Sequence, residues 1–143
     1  MKKIIYILFI GLLLSGCNKQ TDKTLVCNKN EKLNENDVFQ KIESTYIDNK
    51  IAFANLDIKI VVSDRYVEYI NVLEQQLLES YNEFRDKAGV TFSSIKGDSD
   101  IKVLIGVDFS KINAPIEALG LINDQSTYDD AYKTFTEMGY SCK

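Results

Sequence analysis

Apolar and polar positions change rhythm several times along this chain. Behind Met1-Lys2-Lys3, the run Ile4 to Leu14 is almost wholly apolar. It stops at Leu14-Ser15-Gly16-Cys17 and gives way to the polar stretch Asn18–Thr24. Leu25-Val26-Cys27 predicts a short strand, and the Asn- and charge-rich Lys29–Asp37 predicts a loop. Val38, Ile42 and Tyr46 then fall on one face of an alternating run. Asp48-Asn49-Lys50 predicts a turn. Leu56, Ile58, Ile60 and Val62 continue at a spacing of two, which makes a hairpin with one buried face. The spacing shifts to three and four at Tyr66, Ile70, Leu73, Leu77, Tyr81 and Phe84, predicting one amphipathic helix over 65–87. Ser63-Asp64 offers its N-cap, and Gly89 stands where a C-terminal cap glycine belongs.

Val90-Thr91-Phe92 opens another strand, and Gly97-Asp98-Ser99-Asp100 is a turn. Ile101, Val103, Ile105, Val107 and Phe109 alternate without a break, the pattern of a half-buried strand. Leu104, on the other face, predicts partial cover there too. Pro115 suits the first turn of a short helix ending near Gly120. Ser126-Thr127-Tyr128-Asp129 resembles a capping box with Asp in place of Glu. It opens a helix whose apolar stripe is Tyr128, Ala131, Tyr132, Phe135 and Met138, closed by Gly139. The order of elements predicts an α+β domain: a mostly antiparallel sheet of about five strands, with the long helix and the C-terminal helix packed on one face. Asp57-Ile58-Lys59-Ile60-Val61-Val62 echoes Asp100-Ile101-Lys102-Val103-Leu104-Ile105. A duplicated ββα unit would produce that echo. Any two half-buried strands share such a pattern, and this plainer reading is preferred.

The N-terminal run is a secretory signal pattern, a positive start followed by an apolar stretch. A spanning helix needs roughly 20 apolar residues, so the run is short for a permanent anchor. Leu14-Ser15-Gly16-Cys17 looks like a bacterial lipobox. Small residues before the cut let an extended chain enter a narrow protease cleft. In lipoproteins of this kind the cysteine thiol carries a diacylglycerol, and cleavage leaves that cysteine as the first residue. Two acyl chains hold where one gives only reversible binding. The expected organisation is therefore a lipoprotein signal peptide over 1–16, a lipidated tether over 17–24 and a single domain over 25–143.

Once the signal is set aside, about 120 residues remain, close to the usual size of one domain. The net charge is −4, and −6 once Lys2 and Lys3 leave with the signal. An acidic domain without a basic run argues against nucleic acid or anionic lipid as its main partner. Of three cysteines, Cys17 is the candidate for lipid attachment. Cys27 and Cys142 remain, an even pair in an exported chain, where disulfides persist. Bridging them would close a loop of about 100 residues, worth roughly 4–5 kcal/mol in the chain-entropy model. The alternatives are two free thiols or a metal site. Two cysteines with no histidine anywhere make a poor zinc set.

The absence of histidine also removes the commonest general base and the usual triads. The seven glycines lie singly, so there is no phosphate-binding loop. Asp98 and Asp100 share a turn with Ser99, but the remaining ligands of an EF-hand are missing; an exposed acidic turn is the plainer reading. Asp124, Asp129 and Asp130 cluster loosely, and carboxylates at a helix start suit its dipole. No metal, cofactor or catalytic residue is expected. Tyr66, Tyr69 and Tyr81 lie on or beside the long helix, and Tyr128, Tyr132 and Tyr140 flank the last one. They read as core-edge residues with wet hydroxyls, with a binding surface as the minority reading. Glu68, Glu74, Gln75, Glu79 and Glu83 give the long helix a solvated side.

These residues resemble the YehR-like small bacterial lipoproteins. The likeness is carried by Leu14 to Cys17, the Lys87-Ala88-Gly89-Val90 junction and Val107-Asp108-Phe109-Ser110-Lys111. Ala118-Leu119-Gly120 and the closing Met138-Gly139-Tyr140 fit too. It covers most of the chain after the signal and is weak over 29–55. The resemblance implies an α+β lipoprotein and supplies no reaction, cofactor or site. The Cys27 and Cys142 pair is not counted as a family feature. The expectation is a non-enzymatic lipoprotein, lipid-anchored on the extracytoplasmic face of the cell membrane, binding an envelope protein or a cell-wall component. The alternative is a small-ligand module serving transport or sensing.

Overall fold

The computed structural model describes residues 22–112 and 127–143. The strands are β1 (Asp22–Leu33), β2 (Asn36–Ile47), β3 (Lys50–Val61), β4 (Val90–Lys96), β5 (Asp100–Asp108) and β6 (Ser141–Cys142). The helices are α1 (Ile70–Ser80) and α2 (Tyr128–Glu137). All strands join one antiparallel sheet of order β4-β5-β3-β2-β1-β6. The α+β class is as expected; the sheet has six strands rather than about five.

β1 is the largest departure from the sequence pattern. The strand begins at Asp22 rather than Leu25, and it runs through the stretch expected to be a loop, as far as Leu33. Only Leu25 and Cys27 in it are buried, so hydropathy carries no sign of its length. What holds it is backbone pairing with β2 at every position from Asp22↔Ile47 to Leu33↔Asn36. The hairpin turns at Asn34-Glu35, both at positive φ (49° and 70°). That is a two-residue type I′ connection, whose twist matches the strands it joins. The next hairpin repeats the device at Asp48-Asn49, with φ of 51° and 62°.

β2 buries Val38, Ile42, Ser44 and Tyr46 on the inner face. In β3 an irregularity beside Thr45/Tyr46 leaves Ala52 unpaired and shifts the parity, so Ile51 and Ala54 both point inward. β5 keeps strict alternation, with Ile101, Val103, Ile105 and Val107 buried. Gly89 lies at φ 81°, and its carbonyl accepts from the Asp108 backbone N–H at 2.7 Å. A Cβ there would stand 2.8 Å from the Asp108 carbonyl oxygen, so this junction admits glycine and little else.

The long helix expected over 65–87 is continuous over 64–80, its first six residues (Asp64–Tyr69) in 3-10 form and the rest α1, and a turn at Tyr81 separates it from a second 3-10 turn at Asn82–Phe84. The break separates two packing duties. Ile70 joins Val62 and Ile101 in a small cluster, while Phe84 enters the main core with Val103 and Ile105. Ser63 does not cap with its side chain. Its backbone N–H donates to Asn36 Oδ1 at 3.0 Å, its carbonyl accepts from Tyr66, and its hydroxyl is buried without a partner.

α2 starts one residue later than the predicted box. Asp130 N–H donates to Thr127 Oγ1 at 3.2 Å, and the Thr127 hydroxyl donates to Asp130 Oδ2 at 2.7 Å. The helix buries Ala131 and Phe135, whereas Tyr132 and Met138 of the expected stripe are exposed. The short helix expected from Pro115 to Gly120 lies outside the described residues. The echoing hexamers turn out to be neighbours. They pair antiparallel about Lys59↔Lys102, and the ion pairs Lys59–Asp100 (3.3 Å) and Lys102–Asp57 (3.0 Å) exchange across that centre. β2-β3-α1 and β4-β5-α2 also share one element order.

Candidate functional site

Both helices pack on the same face of the sheet, so among the described residues no helix covers the other face. On that open face the register aligns polar rows across the strands. One row is Glu43, Asn55, Gly106 and Thr91; the next is Lys41, Asp57, Leu104 and Ser93. They enclose a groove of about 390 Å³, within the usual size range of ligand clefts. Gly106 makes room for it. A Cβ at that position would meet the side-chain oxygens Thr91 Oγ1 at 2.5 Å and Asn55 Oδ1 at 3.2 Å, so a larger residue would push these two polar groups away from the floor. Leu104 supplies an apolar patch beside it. A shallower depression of about 280 Å³ adjoins, bounded by Asn28, Asn30, Phe39, Lys59 and Lys102.

The charges of this face are matched. Lys41 pairs with Glu43 at 3.0 Å, Lys102 with Asp57 and Lys59 with Asp100. Exposed pairs like these add little to stability, but they leave no surplus of either sign. Phe39 and Phe53 stand exposed in the rows on either side of these two, at 41% and 46%. The face is therefore a polar groove flanked by aromatic rings. Such a surface offers hydrogen bonds in its middle and stacking at its ends.

Cys27 and Cys142 form a disulfide. Val26 and Lys143 exchange two backbone hydrogen bonds of 3.0 Å, which leaves Cys27↔Cys142 as the adjacent non-hydrogen-bonded pair. Side chains are closest at such pairs, so the two sulfurs are brought together by sheet register. Cys27 is fully buried beneath α2 and Tyr140. Cys17 lies outside the described residues.

The acidic candidates are dispersed. Asp100 is engaged by Lys59, Asp98 is exposed in its turn, and Asp130 caps α2, with Asp129 exposed beside it. Asp124 lies outside the described residues. Among the described residues no three His, Cys, Asp or Glu side chains converge as a metal site. Asp108 accepts from Ser110 and Lys111, which hold its carboxyl below the ordinary carboxylate range, Lys111 being the stronger influence. Burial pushes the Tyr46, Tyr81 and Tyr140 hydroxyls up. Tyr46 accepts from the buried Ser44 hydroxyl, and Tyr140 donates to Gln40. These three tyrosines serve the interior, whereas Tyr69 and Tyr132 are exposed.

None of the groove residues was distinguishable by type. Their signal was the polar half of the alternation in β3 and β5, at Asn55, Asp57, Lys102 and Gly106. Without the pairing register those positions cannot be placed side by side.

The prokaryotic membrane lipoprotein lipid attachment site matches residues 1–18, a stretch that contains Cys17. The chain is thus a membrane-anchored lipoprotein. No described helix is long and apolar enough to cross a membrane. No curated protein matches the sequence. Two solved structures share the fold. The NMR structure of the E. coli YehR protein is similar with a TM-score of 0.60 and 16% identity, over 85% of this chain and 91% of that one. The NMR structure of a protein from Streptococcus pneumoniae TIGR4 is similar with a TM-score of 0.57 and 16% identity, over 100% of this chain and 94% of that one. The resemblance to YehR-like lipoproteins seen in the sequence is met in the fold and in the lipid attachment site.

Proposed function

We propose that this protein is a non-enzymatic lipoprotein held by a lipid on Cys17 at the extracytoplasmic face of the cell membrane. Its open sheet face binds an envelope protein or a cell-wall component. The observation that carries this reading is the uncovered face itself, with its polar groove beside Gly106 and its flanking exposed phenylalanines. The secretory signal pattern ahead of the attachment site supports export.

A photo-crosslinking residue placed in cells at Asn55 or Thr91 tests it against the same residue at Glu79 or Lys133 on the helical side. The open-face positions are expected to capture one partner, and Leu104→Asp is expected to abolish that capture. Capture from the helical side alone would refute the assignment. Hydrolysis of a peptidoglycan or peptide substrate, lost on a single carboxylate substitution, would overturn the non-enzymatic reading. The groove's volume favours a second reading, a small polar ligand. In that case a bound compound raises the melting temperature of the wild type but not of Leu104→Asp.

A further inference from the structure

The lipid anchor and the start of β1 together fix how the domain meets the bilayer. Only Asn18 to Thr21 separate Cys17 from Asp22, the first residue of the sheet. Five residue steps span at most about 18 Å. β1 itself runs roughly 37 Å from Asp22 to Leu33 at about 3.4 Å per residue. The far end of the sheet, with the Asn34-Glu35 and Gly97–Asp100 turns, therefore cannot be the end that rests on the membrane.

We propose that the opposite end faces the lipid headgroups. It is formed by the start of β1, the Asp48-Asn49 turn and the start of α2, which is tied to that turn by the Tyr128 N–H donating to Asn49 Oδ1 at 3.3 Å. The strands then stand along the membrane normal. This inference rests on lipid attachment at Cys17 from the reading above.

Charge counts against the domain lying flat on its helical side. The helical side exposes Asp64, Glu68, Glu79, Asp86, Asp129, Asp130 and Glu137 against Arg65, Arg85, Lys87 and Lys133, a surplus of acid that anionic lipid repels. The open face has matched charges and no electrostatic pull toward lipid. At the proposed contact end the described charges are Lys23 and Lys50 against Asp22, Asp48, Asp129 and Asp130, so the short tether, not charge, brings this end to the lipid. The consequence bears on function. Asn55 lies five positions from Lys50, so the groove stands about 17 Å above that end and opens sideways into the envelope.

The chain contains no tryptophan, so one introduced indole reports a single position. The lipidated full-length protein would be reconstituted in mixed phosphatidylcholine–phosphatidylglycerol vesicles containing a headgroup-nitroxide lipid. Lys50→Trp, Asp98→Trp, Ser93→Trp and Lys133→Trp would be compared. Quenching of Lys50→Trp is expected to exceed that of Asp98→Trp several-fold, with Ser93→Trp and Lys133→Trp both well below Lys50→Trp. Inserting a long Gly-Ser segment before Thr21 should erase the contrast. If Ser93→Trp or Lys133→Trp is quenched as strongly as Lys50→Trp while the protein stays anchored, the orientation is wrong. If Cys17→Ala protein binds the vesicles as well as the parent does, the lipid reading fails, and with it the premise of the orientation.

Discussion

Cys27 shows how one residue's role is set by its opposite neighbour. It is apolar in character, buried between β1 and α2, and covalently joined to a cysteine 115 positions away. In the chain-entropy model a closed loop of that length is worth about 5 kcal/mol, because the reduced unfolded chain has more freedom to lose. Reduction, or the Cys142→Ser variant, should lower folding stability by an amount approaching that figure. Urea denaturation with and without reductant would measure it. A change below about 1 kcal/mol would mean that the register of β6 on β1, not the bond, holds the C-terminus. Gly106 is the matching case on the open face, where a missing side chain creates the groove.

Among the elements, α2 and β1 stand at opposite extremes of legibility. The spacing of Ala131 and Phe135, the Thr127 cap and the closing glycine at φ 87° all lie in the local sequence. Phe135 is fully buried and meets Tyr140 edge-on at a centroid distance of 5.6 Å. Phe135→Ala should therefore cost about 3–5 kcal/mol, the range for emptying a large aromatic site. Equilibrium unfolding with the disulfide intact would check it. β1 gives no such signal. Lys29 and Glu31 pair with each other at 3.0 Å on the strand, and the side chains around them are mostly exposed. Its existence depends on hydrogen bonds to β2, and backbone groups are the same in every residue type. The broken helix is intermediate: its apolar spacing was legible, but the 3-10 turns at its ends depend on which cluster each residue must reach.

At the scale of the whole molecule, pH acts from both sides. The Asp108 carboxyl titrates below the ordinary carboxylate range in the folded state because Lys111 and Ser110 favour its charged form. Its stabilising contribution is present above that ordinary range and is lost as pH falls through the depressed value. Burial holds Tyr46, Tyr81 and Tyr140 protonated beyond the ordinary tyrosine value. Their contribution is full below that value and is lost as pH rises through the raised one. Stability should fall at both extremes. Asp108→Asn should flatten the acid limb and leave the alkaline limb unchanged, and denaturation midpoints across pH would show this. A parallel shift of both limbs would contradict the assignment.

The sequence by itself determined what local patterns can encode: the lipid attachment stretch at the N-terminus, the amphipathic helices, the alternating strands β2, β3 and β5, and the α+β class. It also narrowed the cysteines to one plausible pair, since no histidine competes for them. Tertiary structure alone decided which polar residues become neighbours. Asn55, Gly106 and Thr91 come from three strands and meet only through register. Ion pairs such as Lys102–Asp57 link positions 45 residues apart. The physical reason is that burial leaves a periodic trace in hydropathy, whereas a solvent-facing contact between distant strands leaves none. The proposed site lies on the solvent-facing side, and for that reason the fold was far more legible than the site.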